Sequence, residues 1–220
     1  MVISACKLLT NMKRRDIEMK IDFKEKKDCI FMMLVNLEAY AEILMVSPHI
    51  PVFDMAITYR FLMHKGDDGI DTVLITDSLM NEIGLTHREL HDLAMDNTRR
   101  LFPPKLLEAE DGGIYCTNEH QSCGAGVLLY QDFMDEVAEK IGDEFYIIPV
   151  SVHDVMAVPS GEFHEEAMLH MLADINENRM DDRENLSKCL LRYNSKEQSM
   201  RRVASYSFRN EATATPTALN

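Results

Sequence analysis

The sequence predicts an α+β fold: antiparallel β-hairpins with helices packed on one face, in the order α, ββαα, ββα, ββα. Three observations carry this. One stretch alternates apolar and polar residues at period two, one helix start is marked by its own capping residues, and the strands come in pairs joined by short turns.

Taken in order, Ile30, Leu34, Leu37, Ala41 and Leu44 recur at helical spacing between Lys24 and Val46, and Pro48 and Pro51 end that first helix. "VFDMAITYRFLM" then alternates, with Phe53, Met55, Ile57, Tyr59, Phe61 and Met63 on one side and Asp54, Thr58 and Arg60 on the other. That predicts a strand with one buried face. "HKGDDG" turns the chain into a second strand, "IDTVLIT". A helix from about Asp77 to Ile83 stops at Gly84, where a left-handed backbone is easily adopted. Thr86 caps the next helix with Glu89 three residues on, Leu85 and Leu90 stand at the staple positions, and Pro103 and Pro104 end it.

The order then repeats. "GIYCTN" and "AGVLLY" read as short strands, and "DFMDEVAEKIG" as a helix turning Phe133, Met134, Val137 and Ile141 inward. "VLITDSLMNEIG" and "VLLYQDFMDEVAEKIG" echo each other, which fits either an old duplication or two strand-to-helix junctions under the same demands. "EFYIIPVS" and "DVMAV" give two more strands and "EFHEEAMLHMLADIN" a last helix. Residues 25–194 are thus expected to form the core domain. Residues 1–24 form a basic, partly disordered extension, and residues 195–220, rich in Ser, Thr and Ala without a sustained period, a disordered tail.

Several phrases carry a resemblance: "HIPVFDMAITYRFLM", "GIDTVLITDSLMNEIGLTHRELHDLAMDNTRRLFP", "GVLLYQDFMDEVAEKIGDEFYIIPVSVHDVMAVP" and "LSKCLLRYN". Together they resemble, over about residues 25–195, an uncharacterised family of gut Firmicutes proteins, domain-of-unknown-function family 5688. The resemblance implies a bacterial protein and a shortened member of the family. It brings no activity, cofactor or catalytic residue with it.

The net charge of −14 is unevenly spread. Residues 106–178 hold one cation, Lys140, against sixteen carboxylates, whereas residues 1–30 and 179–220 each hold eight cations against five. Such a chain repels phosphate backbones and anionic lipid, so neither nucleic acid nor a membrane is expected as a partner. A basic protein is. No run reaches the length of a membrane span, and the N-terminus puts its apolar residues ahead of its basic ones, the reverse of a secretory signal. Five scattered cysteines, Cys6, Cys29, Cys116, Cys123 and Cys189, fit a reducing cytoplasm.

Chemistry-bearing residues are sparse. His153 and Asp154 are adjacent, and neighbours on a strand point to opposite faces, so a turn between the two last strands places them better than a catalytic pair does. "CTNEHQSC" offers Cys116, His120 and Cys123 as soft ligands but lacks the paired spacing of zinc sites. His87 and His91 stand one helical turn apart, with Arg88 where a metalloprotease needs glutamate. No nucleotide-binding or nucleophile-elbow glycine motif occurs, so no cofactor is expected and no catalytic residue is assigned. The sequence therefore favours a non-enzymatic cytoplasmic protein-interaction module with an acidic surface. The alternative is a metal-assisted hydrolase using some of His87, His91, Cys116, His120, Cys123 and His153.

Overall fold

Seven consecutive buried residues, Ile30–Asn36, form strand β1 where helical spacing had predicted a helix. The apolar run is continuous, so its helical periodicity was incidental. Only a 3-10 turn, Lys27–Cys29, and a four-residue helix α1, Ala41–Leu44, flank it. The structure is a computed structural model and describes residues 22–66, 69–109, 112–161, 164–178 and 181–206. It is a mixed α+β protein with antiparallel sheets, as expected.

The first sheet is built on β3, Met55–Gly66. Strand β1 pairs with one side of it, while β2, His49–Val52, and β4, Gly69–Leu74, share the other. Both faces of β3 are covered, contrary to the single buried face expected: Thr58 and Arg60 are buried along with Ile57, Tyr59 and Phe61. Thr58 Oγ1 donates to the Met33 carbonyl at 3.1 Å and Arg60 Nη1 to Thr72 Oγ1 at 3.2 Å, while Arg60 Nε is buried without an acceptor among the described residues. Helix α2, Asp77–Glu82, follows, and the chain leaves it through Gly84 at φ +70°. Helix α3, His87–Leu101, starts on the predicted capping box of Thr86 and Glu89. Leu90 and Ala94 face inward, and Thr98 Oγ1 accepts from the Met32 amide at 2.8 Å, fixing α3 to β1.

The second sheet runs β10-β9-β7-β8-β6-β5, all antiparallel. Its strands are β5, Pro104–Glu108; β6, Ile114–Asn118; β7, Glu144–Ile148; β8, Val155–Pro159; β9, Cys189–Asn194; and β10, Ser199–Ser205. "AGVLLY" is not a strand: Gly124–Leu129 is a 3-10 helix leading into helix α4, Gln131–Ile141. The two echoing segments therefore differ ahead of their helices, a strand in one and a 3-10 helix in the other, which removes the support for a duplication.

Helices cover both faces of this sheet, not one. Phe145, Ile147, Val155 and Ala157 join the core shared with the first sheet, on the side of α4. Tyr146, Ile148, Met156 and Val158 point the other way and pack with Met168 and Leu172 of helix α5, Glu165–Asn178. A sheet buried on both sides has near-continuous apolar strands, which is how "FYII" and "VMAV" read. Buried methionines fill both sides, Met32, Met55, Met80 and Met134 in the shared core and Met156 in the cluster under α5.

The segment from Ser195, expected to be without order, forms β10 along β9 as far as Ser205. Residues 207–220 of that tail and residues 1–21 of the basic extension lie outside the described residues. Among the described residues no helix is long and apolar enough to cross a membrane.

Candidate functional site

The six residues considered as metal ligands do not gather at one point. His87 is exposed at the start of α3, and His91 Nδ1 shares a hydrogen bond with the Tyr59 hydroxyl at 3.0 Å. Burial pushes the Tyr59 phenol up to about 12. His120 Nε2 sits 3.0 Å from Lys65 Nζ, with its ring edge on Phe102. Cys116 is buried in β6, where burial raises its thiol to about 12 and leaves it inert. Only Cys123 and His153 come together. Among the described residues no three His, Cys, Asp or Glu side chains converge to hold a metal ion.

The Cys123 and His153 pair is held by a tight loop crossing. Cys123 has a left-handed backbone, φ 53° and ψ 30°, and its amide donates to His153 Nδ1 at 3.1 Å. The His153 carbonyl accepts from the Gly124 amide at 3.1 Å and from Thr117 Oγ1 at 2.8 Å. On its far side His153 Nε2 lies 3.8 Å from Glu184 Oε1. A neutral imidazole has one acceptor nitrogen, and here it is spent on the Cys123 backbone amide. His153 therefore braces the turn. His153→Ala should orphan the buried Cys123 amide and cost about 1–3 kcal/mol in urea unfolding, with His153→Asn recovering part of the loss through its amide oxygen. Equal midpoints for wild type and His153→Ala would contradict the bracing role.

Asp154 lies in the same turn, as expected, and not on a strand. Its carboxylate accepts from Ser151 Oγ at 3.0 Å, and burial pushes the carboxyl above its ordinary 3.8. The folded state holds this proton to a higher pH than the unfolded chain does. Ionising Asp154 therefore lowers stability as pH rises from 3.8 through the folded value, and the whole penalty is present at neutral pH. Asp154→Asn keeps an acceptor for Ser151 and removes the penalty. Its melting temperature should exceed that of wild type at pH 7, by a margin that shrinks toward pH 4; a margin independent of pH would show the burial argument to be wrong.

A second site was missed in the sequence. Where the end of β1, the C-terminal end of α5, the 181–188 loop and Tyr206 meet, they enclose a cleft of about 460 Å³. Asn36 shapes one wall, its Oδ1 accepting from the Glu38 and Ala39 amides and its Nδ2 donating to the Leu186 carbonyl. Asn176 stands on the opposite wall and is 5% exposed. Its Nδ2 donates to the Ser187 carbonyl and the Tyr206 hydroxyl, which fixes the amide orientation and leaves Oδ1 buried with no donor. Asn185 repeats the pattern: Nδ2 donates to the Asn176 carbonyl at 3.0 Å, and Oδ1 is buried without one. Glu38, Glu177 and Asp182 complete the lining, and Lys188 Nζ is bonded to Glu38 at 2.7 Å. The cleft had a readable signal, since Met168, Leu172 and Asn176 share one helical stripe and an asparagine on an apolar face needs a reason.

No curated protein and no solved structure matches the chain. The family model described as a family of unknown function, DUF5688, matches residues 2–112 and 107–195, and the chain belongs to that family.

Proposed function

We propose that the protein is a non-enzymatic cytoplasmic interaction module whose acidic surface meets a basic protein partner. The observation that carries this reading is charge segregation. The single lysine and sixteen carboxylates of residues 106–178 include Glu136 and Glu139 on α4 and Glu165, Glu166, Asp174 and Glu177 on α5, all exposed. The dispersal of His87, His91, Cys116 and His120 weighs against the metal-assisted hydrolase.

Binding of a lysine- and arginine-rich peptide, followed by fluorescence anisotropy, tests the proposal. Affinity should fall steeply between about 0.05 and 0.5 M salt, as screening shortens the reach of each charge. Glu165→Lys with Glu166→Lys should weaken it further. Absence of binding, or binding indifferent to salt and to the charge reversal, would remove the module reading.

A further inference from the structure

We propose that the groove between the turn at Met45 and Val46, the end of β4 and the start of α2 is the docking site of this chain's own residues 13–21. The groove measures about 540 Å³, and Phe23, Met45, Val46 and Val73 supply its apolar walls. Met45 is 83% and Val46 54% exposed, an apolar pair left in water on a turn that is itself fixed, because the Val46 carbonyl accepts from the Asp77 amide at 3.0 Å. Apolar surface held in this way gains from a cover. The charged residues lining the groove, Asp77 and Glu82, are both acidic and exposed. Its occupant is therefore a segment that pairs an apolar side with basic residues.

Residues 13–21, "KRRDIEMKI", have that chemistry, and the chain delivers them to the spot. Phe23 lines the groove and is anchored there, 7% exposed with its ring centroid 4.7 Å from that of Phe61. Its neighbours Asp22 and Lys24 are exposed, so side chains alternate between core and solvent at this point. The sequence carries the same period backward: Ile21, Met19 and Ile17 fall on the side of Phe23, and Lys20 and Glu18 on the other. Beyond them Lys13, Arg14 and Arg15 complement Asp77 and Glu82. Five extended residues reach about 17 Å, which spans a groove of this volume. Attachment through Phe23 gives the segment an effective concentration of about millimolar, which a second copy or a separate basic peptide would have to exceed. The family match begins at residue 2, so the segment belongs to the region shared with the family. None of residues 106–178 takes part, and the inference stands apart from the acidic-face reading.

A double-mutant cycle on the full chain tests the docking. Met45 is so exposed that Met45→Asp should be harmless unless something covers it. With residues 13–21 in place, Met45→Asp and Met19→Asp should each lower the melting temperature by about 3–6 °C, and the double variant should melt no lower than either single one. A fluorescein-labelled peptide of residues 11–21 gives a second reading that does not depend on stability. By anisotropy it should bind the Met19→Asp chain, whose own segment is released, at least about tenfold more tightly than wild type, and Val46→Asp in that chain should abolish the binding. Light scattering should show one mass for all these proteins. Variants that melt like wild type, or losses that add in full, overturn the proposal. So does a melting temperature that falls on dilution together with a dimer mass, which would put a second copy in the groove. Peptide that binds wild type and Met19→Asp equally would mean a groove open to a separate partner, and peptide that binds neither would mean no docking site; both overturn it.

Discussion

Gly124→Ala is expected to lower the unfolding free energy by about 3 kcal/mol or more, at the upper end of what overpacking costs. A Cβ added at Gly124 would stand 2.5 Å from the His153 carbonyl oxygen, 2.5 Å from Thr117 Oγ1 and 2.9 Å from the Asn118 nitrogen. Two of these atoms are backbone. The third is tied, because Thr117 Oγ1 donates to the same His153 carbonyl at 2.8 Å. No flexible side-chain end is available to move aside, so the loop crossing would have to open, breaking the Gly124 amide bond to His153 and the support of the Cys123 turn. Gly126 provides the control two residues away. A Cβ there would meet only Met32 Cε, at 3.8 Å, an ordinary contact with a flexible tip. Urea unfolding of the two variants should therefore give a large shift for Gly124→Ala and almost none for Gly126→Ala. Similar shifts would mean that the crossing is not close-packed.

The elements that could be read from the sequence are those whose local signals agree with their tertiary role. The capping box of Thr86 and Glu89, the Gly84 stop and the inward stripe of Phe133, Met134 and Val137 in α4 are all set within one or two turns of chain. The elements that could not be read owe their state to neighbours distant in sequence. Strand β1 is apolar on both faces, so it has no period, and its pairing with β3 and the bond from its Met32 amide to Thr98 decide its conformation. Residues 124–129 look like a strand by composition. They coil because the Gly124 and Ala125 amides are held by the carbonyls of His153 and Val152, distant in sequence. Strand β10 carries Arg201 and Arg202 on an exposed sheet edge, a composition that imitates a tail. The cleft is of the same kind: Asn176 is visible on an apolar stripe, but its partners at Ser187 and Tyr206 come from other elements.

Removing residues 196–220 should destabilise the protein by on the order of 3–5 kcal/mol, the value of a few partly buried apolar side chains and their ladder bonds less the chain entropy regained. The cut removes β10, whose Val203, with Tyr206 just beyond it, packs on the cluster formed by Tyr146, Met156, Met168 and Leu190, while Met200 reaches the main core. It also leaves β9 as a bare edge and strips the Tyr206 hydroxyl from Asn176. Charge is a competing explanation, because the basic C-terminal segment reaches acidic groups through pairs such as Lys196 with Asp143. Salt separates the two. An exposed pair is screened, whereas burial and ladder bonds are not, so a packing loss persists at about 0.5 M salt and a charge loss fades. Lys196→Ala should then leave the melting temperature nearly unchanged while Val203→Ala with Tyr206→Ala lowers it. If the truncated chain melts with wild type, β10 contributes nothing to the fold. If its deficit vanishes in salt, the segment is held by charge, and the packing account of this sheet edge is wrong.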